Sequence, residues 1–156
     1  MKALILTFCS LLLLAGCAAL PSHDSMAEQS KNFQLPLEDK AGMARIFVVR
    51  PSGLGTMIRF NVFLDNDNVT DAEMGWNRGS QRIYFYVKPG PHHLYSHAEN
   101  TAEIEFTAHA NEVVYVEQHT DMGIFMARNT LSLIDEVEGK YFVMTTGNGE
   151  IKRINR

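Results

Sequence analysis

The chain has 156 residues, with 14 lysines and arginines against 18 aspartates and glutamates and a formal net charge of -4. So mildly acidic a balance excludes the basic footprint that nucleic acid requires, and nothing in it draws the chain onto anionic lipid. The length leaves room for a leader and one small domain with a single core, and no internal repeat or low-complexity stretch divides it further.

The chain opens on Lys2, followed by an apolar run from Ala3 to Leu14. That run has the length of a signal-peptide core and falls short of the roughly 20 residues of a membrane-spanning helix. It closes on Leu14-Ala15-Gly16-Cys17, which resembles the lipobox of bacterial lipoproteins. The resemblance implies that residues 1–16 are a removed signal, that Cys17 is thioether-linked to diacylglycerol, and that the new N-terminus is acylated. Several acyl chains, each contributing about 0.8 kcal/mol per buried methylene, anchor stably where one alone is marginal. An aspartate after the cysteine would imply retention in the inner membrane. Ala18 stands there, so the implied address is the outer membrane, facing the periplasm. Cys9 leaves with the signal and Cys17 carries the lipid, so no thiol remains for a disulfide, a cysteine nucleophile or a thiolate metal site.

Residues 17–42 read as the lipidated N-terminus and a flexible tether, polar and aperiodic, with Pro21 and Pro36. As a flexible coil the tether has an end-to-end distance of about 25–30 Å, and Ser25 to Lys31 has room for a helical turn or two. The folded domain is expected over 43–156.

Within it, short runs rich in Val, Ile, Phe and Tyr alternate with turn residues, the pattern of an all-β chain. Strands are expected at Ala44–Arg50, Thr56–Asp65, Arg82–Val87, His93–Glu99, Thr101–Thr107, Glu112–Thr120, Gly123–Ala127 and Leu131–Glu136. Pro51-Ser52-Gly53-Leu54-Gly55, Asp65-Asn66-Asp67-Asn68 and Pro89-Gly90-Pro91 supply the turns between them. Gly147-Asn148-Gly149 reads as a tight hairpin joining Tyr141–Thr145 to Glu150–Ile154. No run of helical spacing competes, so the expected fold is a single antiparallel β-sandwich, immunoglobulin-like or prealbumin-like.

The segments Ala44-Arg45-Ile46-Phe47-Val48-Val49-Arg50-Pro51-Ser52-Gly53, Val62-Phe63-Leu64-Asp65 and Tyr86-Val87-Lys88-Pro89-Gly90-Pro91-His92-His93-Leu94 carry a resemblance. With Met126-Ala127-Arg128 and Leu131-Ser132-Leu133-Ile134-Asp135, the chain is similar to the Domain of Unknown Function 2846 family of small bacterial lipoproteins. The resemblance covers most of Ala44 to Gly139; beyond Lys140 the chain departs from the helical-looking tail of that family. It implies a lipoprotein β-domain and carries over no catalytic residue.

Five histidines, His92, His93, His97, His109 and His119, fall in the second half. His93 and His97 share a strand face, but at ~3.3 Å per residue they stand roughly 13 Å apart, so one ion would need His109 or His119 from neighbouring strands. No metal site and no cofactor is expected. Asp65, Asp67 and Asp71 lack the calcium-loop pattern, since Val69 sits at a ligand position and Thr70 where glycine belongs. Ser52, Ser80, Ser96 and Ser132 lie outside any nucleophile elbow, and Glu103 and Glu105 alternate with apolar residues as a wetted face does.

One stretch stands apart. Met122-Gly123-Ile124-Phe125-Met126-Ala127, taken as a strand, is apolar on both faces. It is core at a sandwich corner, or covered by the tether through Phe33, Leu35 and Leu37, or a partner surface with Ile124, Phe125 and Met126 as the binding residues. The leading expectation is a non-enzymatic outer-membrane lipoprotein, its lipid anchor in the membrane and its sandwich an interaction module for another envelope protein. The alternatives are a histidine-based metal-binding or stress-related periplasmic protein, and an enzyme of unrecognised type.

Overall fold

The computed structural model describes residues 20–36, 40–53, 55–68 and 70–156. The signal, the lipidation site Cys17 and Leu37 lie outside the described residues. The elements in chain order are α1 (His23–Ser30), β1 (Ala44–Arg50), β2 (Phe60–Leu64), a short 3-10 turn (Thr70–Ala72), β3 (Glu73–Asn77), β4 (Gln81–Val87) and β5 (Gly90–His97). They continue as β6 (Thr101–Ala108), β7 (Val113–Met122), β8 (Ala127–Ile134), α2 (Glu136–Thr145), β9 (Gly147–Asn148) and β10 (Glu150–Ile151). Two five-stranded sheets result, one ordered β8-β7-β1-β4-β9 and the other β10-β3-β2-β5-β6.

Five of the seven residues of β1 are apolar and Ile46 to Val49 are so consecutively, so a strand there needs cover on both faces. It has it: all seven residues are buried. Ile46 and Val48 pack toward the second sheet with Val62, Leu64, Met74, Phe85 and Leu94, while Phe47 and Val49 pack toward the helices with Met26, Tyr115, Phe142 and Val143. The molecule is therefore a sandwich with a helical layer on one outer face. Both clusters are built from residues between Met26 and Ile151, so the chain from residue 20 onward carries the described packing.

Several expectations change. The sandwich is not purely antiparallel, because β1 lies parallel to β7 and β4 parallel to β9. The expected strand Thr56–Asp65 shortens to β2, and β3 is a strand beyond those expected. The expected strand Gly123–Ala127 is mostly a turn, and Leu131–Glu136 is the second half of β8 followed by the start of α2. Tyr141–Thr145 is helical, because Asp135 caps α2 by accepting from the N–H groups of Val137 (2.8 Å) and Glu138 (3.0 Å), and Phe142 and Val143 are buried against the sheet. Gly147-Asn148-Gly149 is not a hairpin. It passes from β9, on the first sheet, to β10, on the second.

The expected tether is also altered where it is described. Ser22 caps α1, Met26 and Ser30 are buried, and Phe33 and Leu35 pack against the helical cluster, so 22–35 belongs to the domain. Its position follows from His23, whose Nε2 lies 3.0 Å from Asp135 Oδ2 at the end where β8 finishes. That end, with Ala44, Val87 and Val113, is the base of the sandwich.

Gly139 lies in α2 directly over Tyr115, and a Cβ there would run into the ring. Helix propensity alone would make Gly139→Ala stabilising by up to about 1 kcal/mol, whereas overpacking costs about 1–3 kcal/mol. Chemical denaturation is expected to show a loss; a gain would mean that α2 does not sit this close to the sheet.

Candidate interaction site

Among the loops that leave the sandwich at the end opposite the base, three meet around one surface: 51–59 between β1 and β2, 98–100 between β5 and β6, and 123–126 between β7 and β8. The first is held from beneath by Arg50. This residue is fully buried, its guanidinium 4.3 Å from the centre of the Phe60 ring, and it donates from Nη1 to the Ile58 carbonyl (2.7 Å) and from Nη2 to the Gly55 carbonyl (3.1 Å). Burial lowers its pKa, the cost of keeping a charge inside the end of the sandwich.

The third loop is held by Glu99 across the sandwich. Its carboxylate accepts from the backbone N–H groups of Ile124 (3.2 Å), Phe125 (2.9 Å) and Met126 (2.8 Å). Only glycine fits at 123, since a Cβ would run into the Met126 carbonyl oxygen. The turn's three successive donors are thus satisfied from inside, and its side chains point outward. Ile124 is 81%, Phe125 91% and Met126 65% exposed, beside Met122 at 83%. Met57 and Ile58 on the first loop are exposed as well. Together these six form an apolar crown, and they account for most of the large exposed apolar side chains among the described residues.

Beneath the crown the inter-sheet space turns polar. Ser96 Oγ receives hydrogen bonds from Gln118 Nε2 and Asn129 Nδ2, both at 2.6 Å, and Asn100 bonds the Asn129 backbone at both its N–H and its carbonyl. This layer ties β5, the β5–β6 turn, β7 and β8 together below the loops. Two shallow clefts adjoin the crown and share Ile58, Phe125, Met126 and Ala127. One, of about 320 Å3, is floored by Gly55 and Thr120; the other, of about 430 Å3, extends to Arg59, Phe60 and His97.

Of the sequence candidates, Ile124, Phe125 and Met126 come together in the crown, and they are neither core nor covered by Phe33 and Leu35, which lie in the helical layer. Met57, Ile58, Arg59 and Glu99 were not singled out, because their nearness to residues 123–126 arises only across the sandwich. The histidines disperse. Each faces its own carboxylate: His23 with Asp135, His92 with Asp65, His93 with Glu103, His97 with Asp67, His109 with Glu112 and His119 with Asp121. His93 also stacks on Tyr95 with ring centres 4.1 Å apart. Among the described residues no group of three or more histidine, cysteine, aspartate or glutamate side chains is placed to hold a metal ion.

The hydrogen bonds from Met126, Phe125 and Ile124 hold the Glu99 carboxyl below the usual glutamate range, against an opposing contribution from burial. With the folded value below the unfolded one, the stabilisation is complete above the unfolded value and is lost as pH falls through the folded value. The backbone N–H resonances of Ile124, Phe125 and Met126 should therefore shift together on acidification, with a midpoint below the ordinary glutamate value of about 4.3. Glu99→Gln should remove the transition; a midpoint at or above the ordinary value would mean the carboxylate does not hold the turn.

No family model matches the chain. It is similar to an uncharacterized protein of Haemophilus influenzae, 22% identical over 133 residues that cover 83% of this chain and 73% of the relative.

Proposed function

We propose that this protein is a lipoprotein of the Domain of Unknown Function 2846 kind, anchored through Cys17 in the outer membrane, whose sandwich serves without catalysis as a periplasmic interaction module. The observation that carries this reading is the crown, an apolar surface fixed by Arg50 and Glu99 yet left open. Residues that only stabilise a fold are buried by it; here the fold spends two charged side chains on presenting apolar ones.

The short link to the anchor sets an orientation. Cys17 precedes His23 by six residues, which reach at most about 20 Å. His23 sits at the base, and β7 alone, with 10 residues, rises about 33 Å toward the crown at ~3.3 Å per residue. A lipid on Cys17 thus holds the base near the membrane and turns the crown toward the periplasm, where it meets another envelope component. Glu99, Asp135 and Glu112 each accept from backbone N–H groups at a turn or helix start, which holds their carboxyls below the usual range and gives these three a structural part. Among the described residues no helix is long and apolar enough to cross a membrane.

Two variants test the reading. Cys17→Ala should accumulate as an unprocessed precursor without acyl chains; if it still partitions with outer membrane after a high-salt wash, the anchor is not at Cys17. Phe125→Asp should melt within about 0.5 kcal/mol of the parent, as an exposed substitution does, while losing co-purification with its envelope partner. Unchanged co-purification would remove the crown from the interaction.

A further inference from the structure

The larger of the two crown clefts is amphipathic along its length. Its walls are Ile58, Phe60, Phe125 and Met126, and Arg59 stands on its rim. Arg59 is exposed, its guanidinium lies 5.6 Å from the centre of the Trp76 ring, and among the described residues it has no carboxylate partner. The acidic group beside it, Glu99, has its oxygens committed to the three N–H groups of the turn. His97 is engaged by Thr101 and Asp67. Of the charged groups lining the cleft among the described residues, the one whose polar atoms have no hydrogen-bond or ion-pair partner is therefore a cation, and the surface leading away from it is apolar.

We propose that this cleft binds a single-chain anionic amphiphile, with its methylene chain against Ile58, Phe125 and Met126 and its head group on Arg59. The inference rests on the crown being the binding surface of the protein, and names the chemistry of what it takes. A volume of about 430 Å3 lies within the range of small-ligand sites, about 300–1,000 Å3, and suits one chain rather than a two-chain lipid. Methionine, unbranched and polarisable, adapts to a flexible chain. The turn's backbone donors are already satisfied by Glu99, so an apolar chain laid over them strands no N–H group. An intact bilayer fits less well, since the base, with its link to Cys17, lies at the far end from the crown.

The test uses the mature chain, residues 17–156 with Cys17→Ser, which holds all of the described packing. Its lone tryptophan, Trp76, stands beside Arg59 and reports binding by fluorescence. Laurate, lysophosphatidylglycerol and the neutral dodecyl maltoside are titrated below their micelle concentrations. The two anionic probes should bind at one saturable site, more tightly than dodecyl maltoside. Arg59→Gln should weaken them by about threefold to tenfold, the worth of one exposed charge-assisted contact, without affecting dodecyl maltoside. Phe125→Asp should abolish binding of all three while leaving the melt unchanged. The tighter of the two anionic probes assigns the head to a carboxylate or a phosphate, and either supports the site. Non-saturable binding, equal affinity for the neutral probe, indifference to Arg59→Gln, or binding to phosphatidylglycerol vesicles alone would each overturn the proposal. If it is overturned while a photo-crosslinker at position 125 in the membrane-anchored protein still captures an envelope partner, the crown reading stands and only the amphiphile falls; if crosslinking fails too, both fall.

Discussion

Strand β1 is buried on both of its faces, and the architecture follows from that constraint. A single sheet-on-sheet interface would cover Ile46 and Val48 and leave Phe47 and Val49 in water, at roughly 1.5–3 kcal/mol for each side chain left exposed. The chain resolves this by laying two helices over the outer face of the first sheet. Phe47 is then enclosed by Tyr84 and Tyr115, at centroid distances of 6.0 and 5.8 Å, with α1 and α2 above. Burial pushes the Tyr115 phenol up to about 12, a sign of how fully the helices exclude water from this face. The N-terminal segment is recruited for this purpose, and what remains between the domain and Cys17 is short.

The two ends of the sandwich are built by different physics. At the base, apolar strand ends meet the helix cap of α2 and its contact with His23. At the crown, the space between the sheets is filled by Arg50, Ser96, Gln118, Thr120 and Asn129, all buried. A polar filling of this kind is a weak source of stability, because each buried group must first recover what it loses in leaving water. What it supplies is direction: Arg50 holds the carbonyls of one loop, Asn100 ties another to β8, and Glu99 holds the N–H groups of a third. The apolar tips are the side of these loops that no hydrogen bond claims.

The histidines illustrate how placement disperses chemistry that abundance suggests. His93 and His97 share a face of β5, as a period of two requires, but each is met by a carboxylate from an adjoining strand or loop. Six local pairs replace one convergent site. Glu103 and Glu105 likewise stand on the wet face of β6, opposite the buried Ala102 and Phe106.

The sequence by itself determined the dominance of strands, the strand at Ala44–Arg50, the alternation along β6 and the break after β4 at Pro89, although Gly90 and Pro91, expected in that turn, already belong to β5. The first three follow from the period of side chains along a chain and the last from local φ preferences. It also marked Ile124, Phe125 and Met126 as apolar on both sides of any strand. Whether that stretch is core, covered or open was decided only by the tertiary structure, through a carboxylate 25 to 27 residues away that turns the backbone inward. The same holds for α2, whose β-rich Tyr141-Phe142-Val143 became helical once Asp135 capped it and the outer face of β1 required cover, and for Gly147-Asn148-Gly149, a hairpin by local chemistry but a crossing between sheets in fact. Local pattern fixes which side chains alternate. Which surface they meet depends on contacts between residues far apart in the chain, and those contacts decide here which apolar residues are buried and which are presented.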